Sequence, residues 1–453
     1  MEVYDVIVLG GGSSGVIAAF SAAREGAKVL LIEKNGVLGG TNTTAMVCPL
    51  MTFHAGKQQI VAGLAQQVID RLAARGGTLG HIPDPLGVTA TITPIEPSDL
   101  KQVYFDMLAD YPSLRLLLHT TLVDVVLKGE HIQNVRCVNK SGLHNYTAKT
   151  YIDATGDGDL AALAGTDYSQ GRVKDGFSQP MSMLFKLGGV DFSAIRLYMQ
   201  KHPEQFILRD GAFDQDYIAV SGFFDCVQRA RAAGDLMIER DRVLMFQGVH
   251  PNEAIVNMAR VIKKRGTKAD ELTSAEISVR IQIDEIVRFM RLYVPGCEHS
   301  YLAESGVSIG VRESRRIVGR YTLTSDDVLS CRQFEDSIAC CAFPIDIHDP
   351  LGAGLDWKES DTSRFYDVPY RIMLPMKPDN LLTTGRCVSA THEAMASLRI
   401  TATAMAMGEA AGIAAAIASK DDLFPADVNT SSLQQRIYEL GGIAGRRFLK
   451  KTL

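Results

Sequence analysis

A short apolar run, Val6 to Leu9, opens into Gly10-Gly-Gly12-Ser-Ser-Gly15, and that junction constrains this chain more than anything else in it. Val16 to Arg24 reads as a helix and Val29 to Ile32 as the next buried strand, ending on Glu33. The G-x-G-x-x-G spacing has a physical use in that setting. Gly10 allows the tight turn, Gly12 lets backbone approach a pyrophosphate, and Gly15 lets the helix pack against the strand. The helix N-terminus then turns unpaired N–H groups and its positive dipole end toward phosphates. Glu33, about twenty residues on, suits the ribose hydroxyls of an adenosine half without a 2′-phosphate. Glycine-rich turns are common, but strand–turn–helix–strand context reads as a dinucleotide site rather than a purely structural turn.

The chain has 453 residues, 46% hydrophobic and 22% charged, which predicts about two to three domain-sized units. A net charge of −5 advertises neither nucleic acid nor an anionic membrane as a partner. The basic clusters Lys263-Lys-Arg265 and Arg446 to Lys451 read as solvated faces. A strand begins after four residues, leaving no room for a signal peptide. The apolar stretch Met405 to Ile417 is Ala/Gly-rich and contains Glu409, so it reads as a buried helix rather than a membrane span. Eight cysteines lie scattered without a CxxC pair or zinc spacing. They read as reduced thiols of a cytoplasmic protein, with no metal site and no disulfide-reductase chemistry.

The dinucleotide domain is expected to be discontinuous. Its first part is 1–165, within which 46–96 forms a helical excursion and loop covering the cofactor. Asp99 to Asp110 reads as a helix and Leu114 to His119 as a strand. Leu122 to Leu127 with Val135 to Asn139 reads as an antiparallel excursion, and Tyr151 to Asp153 completes the parallel sheet. An insertion, 166–374, is assigned to substrate binding. In it Ser182 to Leu187 reads as a strand, and Phe223 to Ala233, Asn252 to Lys264 and Ser274 to Tyr293 as amphipathic helices. The last part, 375–453, holds a final strand in Asn380 to Arg386, one long helix from Ala394 to Ala418, and a terminal helix, Ser431 to Gly441.

Three further segments narrow the cofactor: Gly36-Val-Leu-Gly-Gly-Thr-Asn-Thr-Thr44, Tyr151-Ile-Asp-Ala-Thr-Gly-Asp-Gly-Asp159, and Asn380 to Arg386 with the helix after it. Together with Gly310 to Gly319, Pro344 to Pro350 and Gly385 to Ala394, these resemble the FAD-dependent oxidoreductase family of glutathione-reductase-like fold. The likeness is more remote to flavoprotein fumarate reductases and tricarballylate dehydrogenases. It implies an α/β, Rossmann-like FAD-binding domain with an inserted α+β substrate domain, and FAD as cofactor. By that resemblance Gly10, Gly12, Ser14 and Gly15 hold the pyrophosphate, Glu33 the adenosine ribose, and Lys34 flanks the adenosine. Gly39, Gly40 and Thr41 continue toward the flavin, Val123 offers backbone to adenine, and Asp157 sits by the pyrophosphate or serves as a turn cap. Gly385 and Arg386 pass the ribityl chain. A helix N-terminus after about Ser397, with Arg399, faces the flavin's N1–C2=O edge.

Candidates for chemistry come from the covering segments, since a flavin performs the redox step and protein groups orient the substrate. His348 either moves a proton or is tied to Asp346 or Asp349. His392 follows Gly385-Arg386 closely and either nears the flavin or caps a helix with Glu393. Arg312 offers a fork for an anionic substrate group, while Glu313 and Asp326 favour internal salt bridges for Arg312, Arg315 and Arg316. Cys48 and the Cys340-Cys341 pair read as core residues.

The leading expectation is hydride transfer between a small organic substrate and FAD. The alternatives are an FAD-containing RNA-modification protein, or a flavin-binding redox sensor or partner subunit without its own substrate. No second G-x-G-x-x-G follows a strand, and Gly352-Ala-Gly354 sits in a loop, so the electron acceptor stays open, as do substrate and oligomeric state.

Overall fold

The glycine turn lies where the pattern placed it, between β1 (Val3–Leu9) and α1 (Ser13–Arg24), with β2 (Val29–Ile32) next in the sheet. The computed structural model describes residues 2–209, 211–348, 355–356 and 361–449, the side chains of 355–356 excepted. The expected loop Gly352-Ala-Gly354, and Asp349 as a partner for His348, lie outside the described residues.

Five strands run parallel in the order β3 (Leu114–Leu117), β2, β1, β6 (Gly142–Asp153) and β7 (Leu381–Thr383). β6 serves two structures at once. Its second half pairs with β1, Val3 opposite Thr147 through Leu9 opposite Asp153. Its first half closes an antiparallel meander with β5 (His131–Asn139) and β4 (Thr121–Lys128). β1 from Val6 onward, β2 and β7 are buried on both faces, which accounts for the unbroken apolar runs of β1 and β2, while the edge strand β3 is only partly buried.

One helix was expected over Ala394 to Ala418; two are present, His392–Leu398 and α2 (Thr401–Asp421). Ile400 between them is extended, so a new N-terminus is created at Thr401. α2 is apolar and long enough to cross a membrane, but 83% of its apolar window is buried against the rest of the fold. It packs on α1 at backbone distance: a Cβ on Gly408 would lie 2.2 Å from the Ser14 carbonyl oxygen, and one on Gly412 2.2 Å from that of Ala18. Glu409, between them, is buried against Arg24 at 2.6 Å and accepts the Leu64 N–H.

A second, antiparallel sheet has the order Ala219–Gly222, Val243–Gln247, Ala254–Val256, Phe185–Gly188, Tyr301–Ser305. The expected helix over Asn252 to Lys264 is replaced by the third of these strands and irregular backbone. Ala254, Val256 and Met258 alternate with period two, and the sheet uses that alternation. Helices Phe224–Ala232 and Ala269–Tyr293 cover this sheet as expected, and their core runs from Met181 to Ile309. The expected unit 166–374 is therefore divided by packing: Leu323, Ile338, Cys341, Tyr366 and Leu374 belong to the core of the first domain. Within 46–96, helix Leu64–Ala74 also joins that first core through Leu64, Val68 and Leu72. The short strands around Ile92 meet the second sheet at Tyr217, Ala219 and Phe246, and Glu96 pairs with Lys186 of that sheet at 2.6 Å.

Candidate functional site

The cradle is built from backbone. Gly10 has φ of +100°, and a Cβ there would stand 2.4 Å from the Ala154 carbonyl oxygen. A Cβ on Gly15 would fall 1.9 Å from the Gly10 carbonyl oxygen, so helix and turn close on each other only with glycine. Gly12 differs. A Cβ there would meet nothing nearer than Gly40 Cα at 3.9 Å, which leaves an open backbone face at the N-terminus of α1. Gly39 N–H donates to the Gly11 carbonyl at 2.8 Å and brings Gly39, Gly40 and Thr41 alongside that face.

Glu33, buried at the end of β2, accepts from the Gly11 N–H at 2.6 Å and from Asn35 N–H and Nδ2 at 2.8 and 2.7 Å. It therefore props the glycine turn. Ser14 turns its hydroxyl to Thr384 at 2.7 Å, joining α1 to the end of β7. Lys34 is exposed, and Val123 sits where the β4–β5 ladder shifts register between Leu122–Cys137 and Asp124–Arg136. Asn42 is a residue the motif reading missed. It accepts from Ser13 Oγ at 2.7 Å and Thr401 Oγ1 at 3.2 Å and donates to the Val47 carbonyl, so it ties the cradle to the start of α2.

Asp157 lies beside Arg386 and Ser314. Its Oδ1 accepts from Ser314 Oγ at 2.7 Å and Arg386 Nη2 at 2.8 Å, and Gly385 adopts a positive φ just before. Burial works to raise the Asp157 pKa, but Arg386, the Ser314 hydroxyl and Lys34 outweigh it and hold the carboxyl below its usual value. Asp153, fully buried, accepts from Thr155 and the Ala161 N–H; its burial pushes the carboxyl up to about 6.

The expected basic run is split three ways. Arg315 pairs with Asp159 at 2.8 Å, Arg316 pairs with Glu313, and Arg312 donates to the Pro180 carbonyl at 2.7 Å. Asp326 takes no part in these bonds. Glu313 is completely buried and also accepts from the Gln179 N–H and from His392. His392 opens its short helix, which Thr391 caps, and its Nε2 is buried without a hydrogen-bond partner. Ser397 was expected at a cofactor-facing helix start. Its hydroxyl instead donates to the Phe343 carbonyl at 2.5 Å and meets Tyr366 inside the core; the N-terminus that the break creates is Thr401's.

His348 Nε2 lies 3.1 Å from Asp346 Oδ2, and Arg399 Nη2 lies 3.5 Å from the same oxygen. Burial pulls the His348 pKa down to about 4, with Arg312 and Arg399 opposing protonation, so the ring is neutral at pH 7. Burial disfavours the Asp346 carboxylate, yet His348, Arg399 and Arg312 together hold its pKa well below normal. Arg399 feels both Asp346 and Glu313, so the His348 and His392 clusters form one electrostatic neighbourhood where the two cores meet. Cys48 and Cys340 are buried thiols whose pKa values burial raises well out of the reactive range, and all eight cysteines are free.

The open face above Gly12, the acidic end of β2 and the helix N-terminus at Thr401 fit an adenine dinucleotide with a flavin at its far end. Known proteins agree. The chain is similar over 98% of its length, and 87% of the other, to p-nitrophenol 4-monooxygenase PnpA from Pseudomonas putida DLL-E4, at 11% identity and TM-score 0.51, a likeness of fold. It also matches a geranylgeranyl bacteriochlorophyll reductase-like protein from Thermoplasma acidophilum at 14% identity and TM-score 0.45, over 97% of this chain and 84% of that one. The profile of the family described as FAD dependent oxidoreductase matches residues 5–437. With its cradle and its sheet so placed, and nearly the whole chain matched, this protein belongs to the FAD-dependent oxidoreductase family and is an FAD-dependent redox enzyme.

Proposed function

We propose that the enzyme transfers a hydride between a small organic substrate and FAD, in the cleft between the flavin domain and the inserted sheet. The observation that carries this reading is the convergence of His348, His392, Arg312 and Arg399 at the junction of the two cores, next to the N-terminus of α2. Substrate clefts commonly lie at such domain interfaces.

FAD, when bound, supplies a two-electron acceptor whose N1–C2=O edge gains negative charge on reduction. The N–H groups at the start of α2 favour that charge. Arg312 holds an anionic group of the substrate through its planar fork. His392 presents Nε2, while Glu313 fixes the ring through Nδ1 and selects its tautomer. His348, being neutral, donates through Nε2 to Asp346 and keeps Nδ1 as a hydrogen-bond acceptor. Glu33 and the Gly10–Gly15 turn hold the adenosine half, with Arg386 and Asp157 beside the pyrophosphate. Eight free cysteines support a cytoplasmic setting, and the net charge supports a small-molecule rather than an RNA substrate. The test is a stopped-flow screen of organic acids, sugars and amines for bleaching of the flavin under anaerobic conditions, with the reduced enzyme screened against unsaturated acceptors. A flavin that responds to no small molecule in either direction would favour the redox-sensing or partner-subunit reading.

A further inference from the structure

We propose that Gln179 recognises a hydroxyl group on the reacting carbon of the substrate, which makes the molecule that is oxidised an alcohol. This rests on the reading of the domain junction as the substrate site, and it names the chemical class that enters.

One carboxylate brings the recognising groups together. Glu313 Oε2 accepts the Gln179 N–H at 2.9 Å and lies 2.8 Å from His392 Nδ1, so two distant parts of the chain meet there. Pro180 follows and holds Gln179 to extended backbone. The Pro180 carbonyl accepts from Arg312 at 2.7 Å. Beyond it Met181 exchanges hydrogen bonds with Val261, and Ser182 with Gly310. The same stretch reaches the cradle, where the Leu184 N–H donates to the Ala45 carbonyl at 3.1 Å, just past Gly39, Gly40 and Thr41. Gln179 is therefore fixed on both sides, at the place where the two cores meet.

Hydrogen-bonding capacity is left over at that place. Ser178, Gln179 and His392 are 5%, 1% and 4% exposed. Among the described residues, the Ser178 hydroxyl, both polar atoms of the Gln179 amide and His392 Nε2 are buried without a hydrogen-bond partner. Buried polar atoms are nearly always bonded, so this group on three neighbouring residues calls for a ligand.

The kinds of atom select that ligand. With Nδ1 held at Glu313, the neutral His392 ring presents Nε2 as a bare acceptor. The Gln179 amide offers N–H donors and a carbonyl acceptor, and the Ser178 hydroxyl acts either way. A carboxylate or a ketone only accepts and an ammonium only donates, so each would leave part of the set unbonded. A hydroxyl does both. The pyrimidine edge of a flavin also does both, but its partner in this fold is the N-terminus of α2.

The step balances with FAD as the oxidant. The substrate hydroxyl accepts from Gln179 Nε2 and donates to His392 Nε2. The carbinol C–H bond breaks, and its hydrogen leaves with the electron pair to FAD. The O–H bond breaks, its proton passes to His392 Nε2, and its electrons form the C=O bond. The alcohol loses two electrons and the flavin gains them, while Glu313 faces the imidazolium that results. Gln179 stays bonded to the product carbonyl.

The test mixes anaerobic holoenzyme of measured FAD content with compounds of matched skeleton and follows flavin bleaching by stopped flow. The sets are lactate, alanine and propionate; mandelate, phenylglycine and phenylacetate; and cyclohexanol with cyclohexylamine. Bleaching is expected from hydroxyl members alone. Gln179→Met keeps the volume without the amide. It is expected to slow bleaching by the alcohol about tenfold to a thousandfold, with FAD content, oxidised flavin spectrum and melting temperature unchanged. Bleaching by an amine or a saturated acid, and not by its hydroxyl counterpart, would overturn the alcohol assignment and leave hydride transfer standing. Bleaching by no member of any set would overturn both. A Gln179→Met variant that bleaches at the normal rate or fails to fold would overturn the role of Gln179. So would one whose FAD content or spectrum changes before substrate is added, since the amide would then belong to the cofactor.

Discussion

His392 Nδ1 lies 2.9 and 2.8 Å from the two carboxylate oxygens of Glu313, and this contact leaves the opposite ring nitrogen buried without a partner. Glu313 is held in turn by Arg316 and the Gln179 N–H, so the ring's orientation is determined by the whole cluster. Replacing His392 with Ala is expected to slow flavin reduction by substrate about 10²- to 10⁴-fold if its Nε2 handles a proton. Glu313→Gln is expected to lower the rate less and to move its pH profile, because the ring keeps its place but loses its charged partner. FAD occupancy, measured on the same samples, should stay unchanged. A normal rate in His392→Ala would leave the residue a structural one.

Acid or heat is expected to release FAD, and neither FMN nor NAD, from the yellow purified protein. The cradle has a phosphate-facing glycine turn and, separately, the Glu33 position for an adenosine ribose. Chromatography of the released chromophore decides this, and a chromophore that stays with the precipitated protein would mean covalent attachment.

Glu33→Gln is expected to weaken FAD binding about ten- to a hundredfold, the equivalent of about 1.5–3 kcal/mol for a hydrogen bond to a charged group. The glutamine can still accept the Gly11 N–H, so the turn itself should survive. Titration of apoprotein with FAD, alongside thermal melts, separates the two effects. Wild-type affinity in the variant would reduce Glu33 to a prop for the turn.

Gly408→Ala is expected to destabilise the protein by about 1–3 kcal/mol or more and to loosen FAD as well. The new methyl would lie 2.2 Å from the Ser14 carbonyl oxygen, which is backbone and cannot swing aside. α1 must then move, and its N-terminus carries the phosphate-facing N–H groups. Urea unfolding and FAD titration measure the two losses, which should appear together.

Stability should fall as pH drops from about 6.5 toward 4, and His348 should account for part of it. Burial lowers its folded pKa to about 4, below the unfolded value of about 6.5, so the unfolded chain takes up the proton first. Its contribution is complete above pH 6.5 and is lost through that window. In His348→Gln the drop between pH 7 and pH 5 should shrink by about 2 kcal/mol in urea titrations. An unchanged drop would show that the ring titrates normally.

Local pattern was enough for the parts of the molecule whose structure is local. β1, the glycine turn, α1 and β2 follow from apolar runs, a turn only glycine can make, and a strand-end carboxylate, all within thirty-odd residues of chain. The meander, the helix Ala269–Tyr293 and the family resemblance were legible for the same reason. Where periodicity was ambiguous, tertiary structure chose. Residues 252–264 have apolar spacing compatible with a helix, and pairing of Ala254–Val256 with strands on both sides made a strand of it. The Ala-rich stretch 394–418 contains no proline, and its glycines lie within α2, yet it breaks at Ile400. Most of the candidate site was beyond the sequence because the partners of its charged groups come from distant parts of the chain. Arg399 meets Asp346 and Arg312 meets the Pro180 carbonyl, each from a distant part of the chain, while Glu313 is held by Arg316 and His392. Which arginine is spent on a salt bridge and which is left for a ligand depends on burial and on neighbours contributed by other elements, and only the folded chain brings those together.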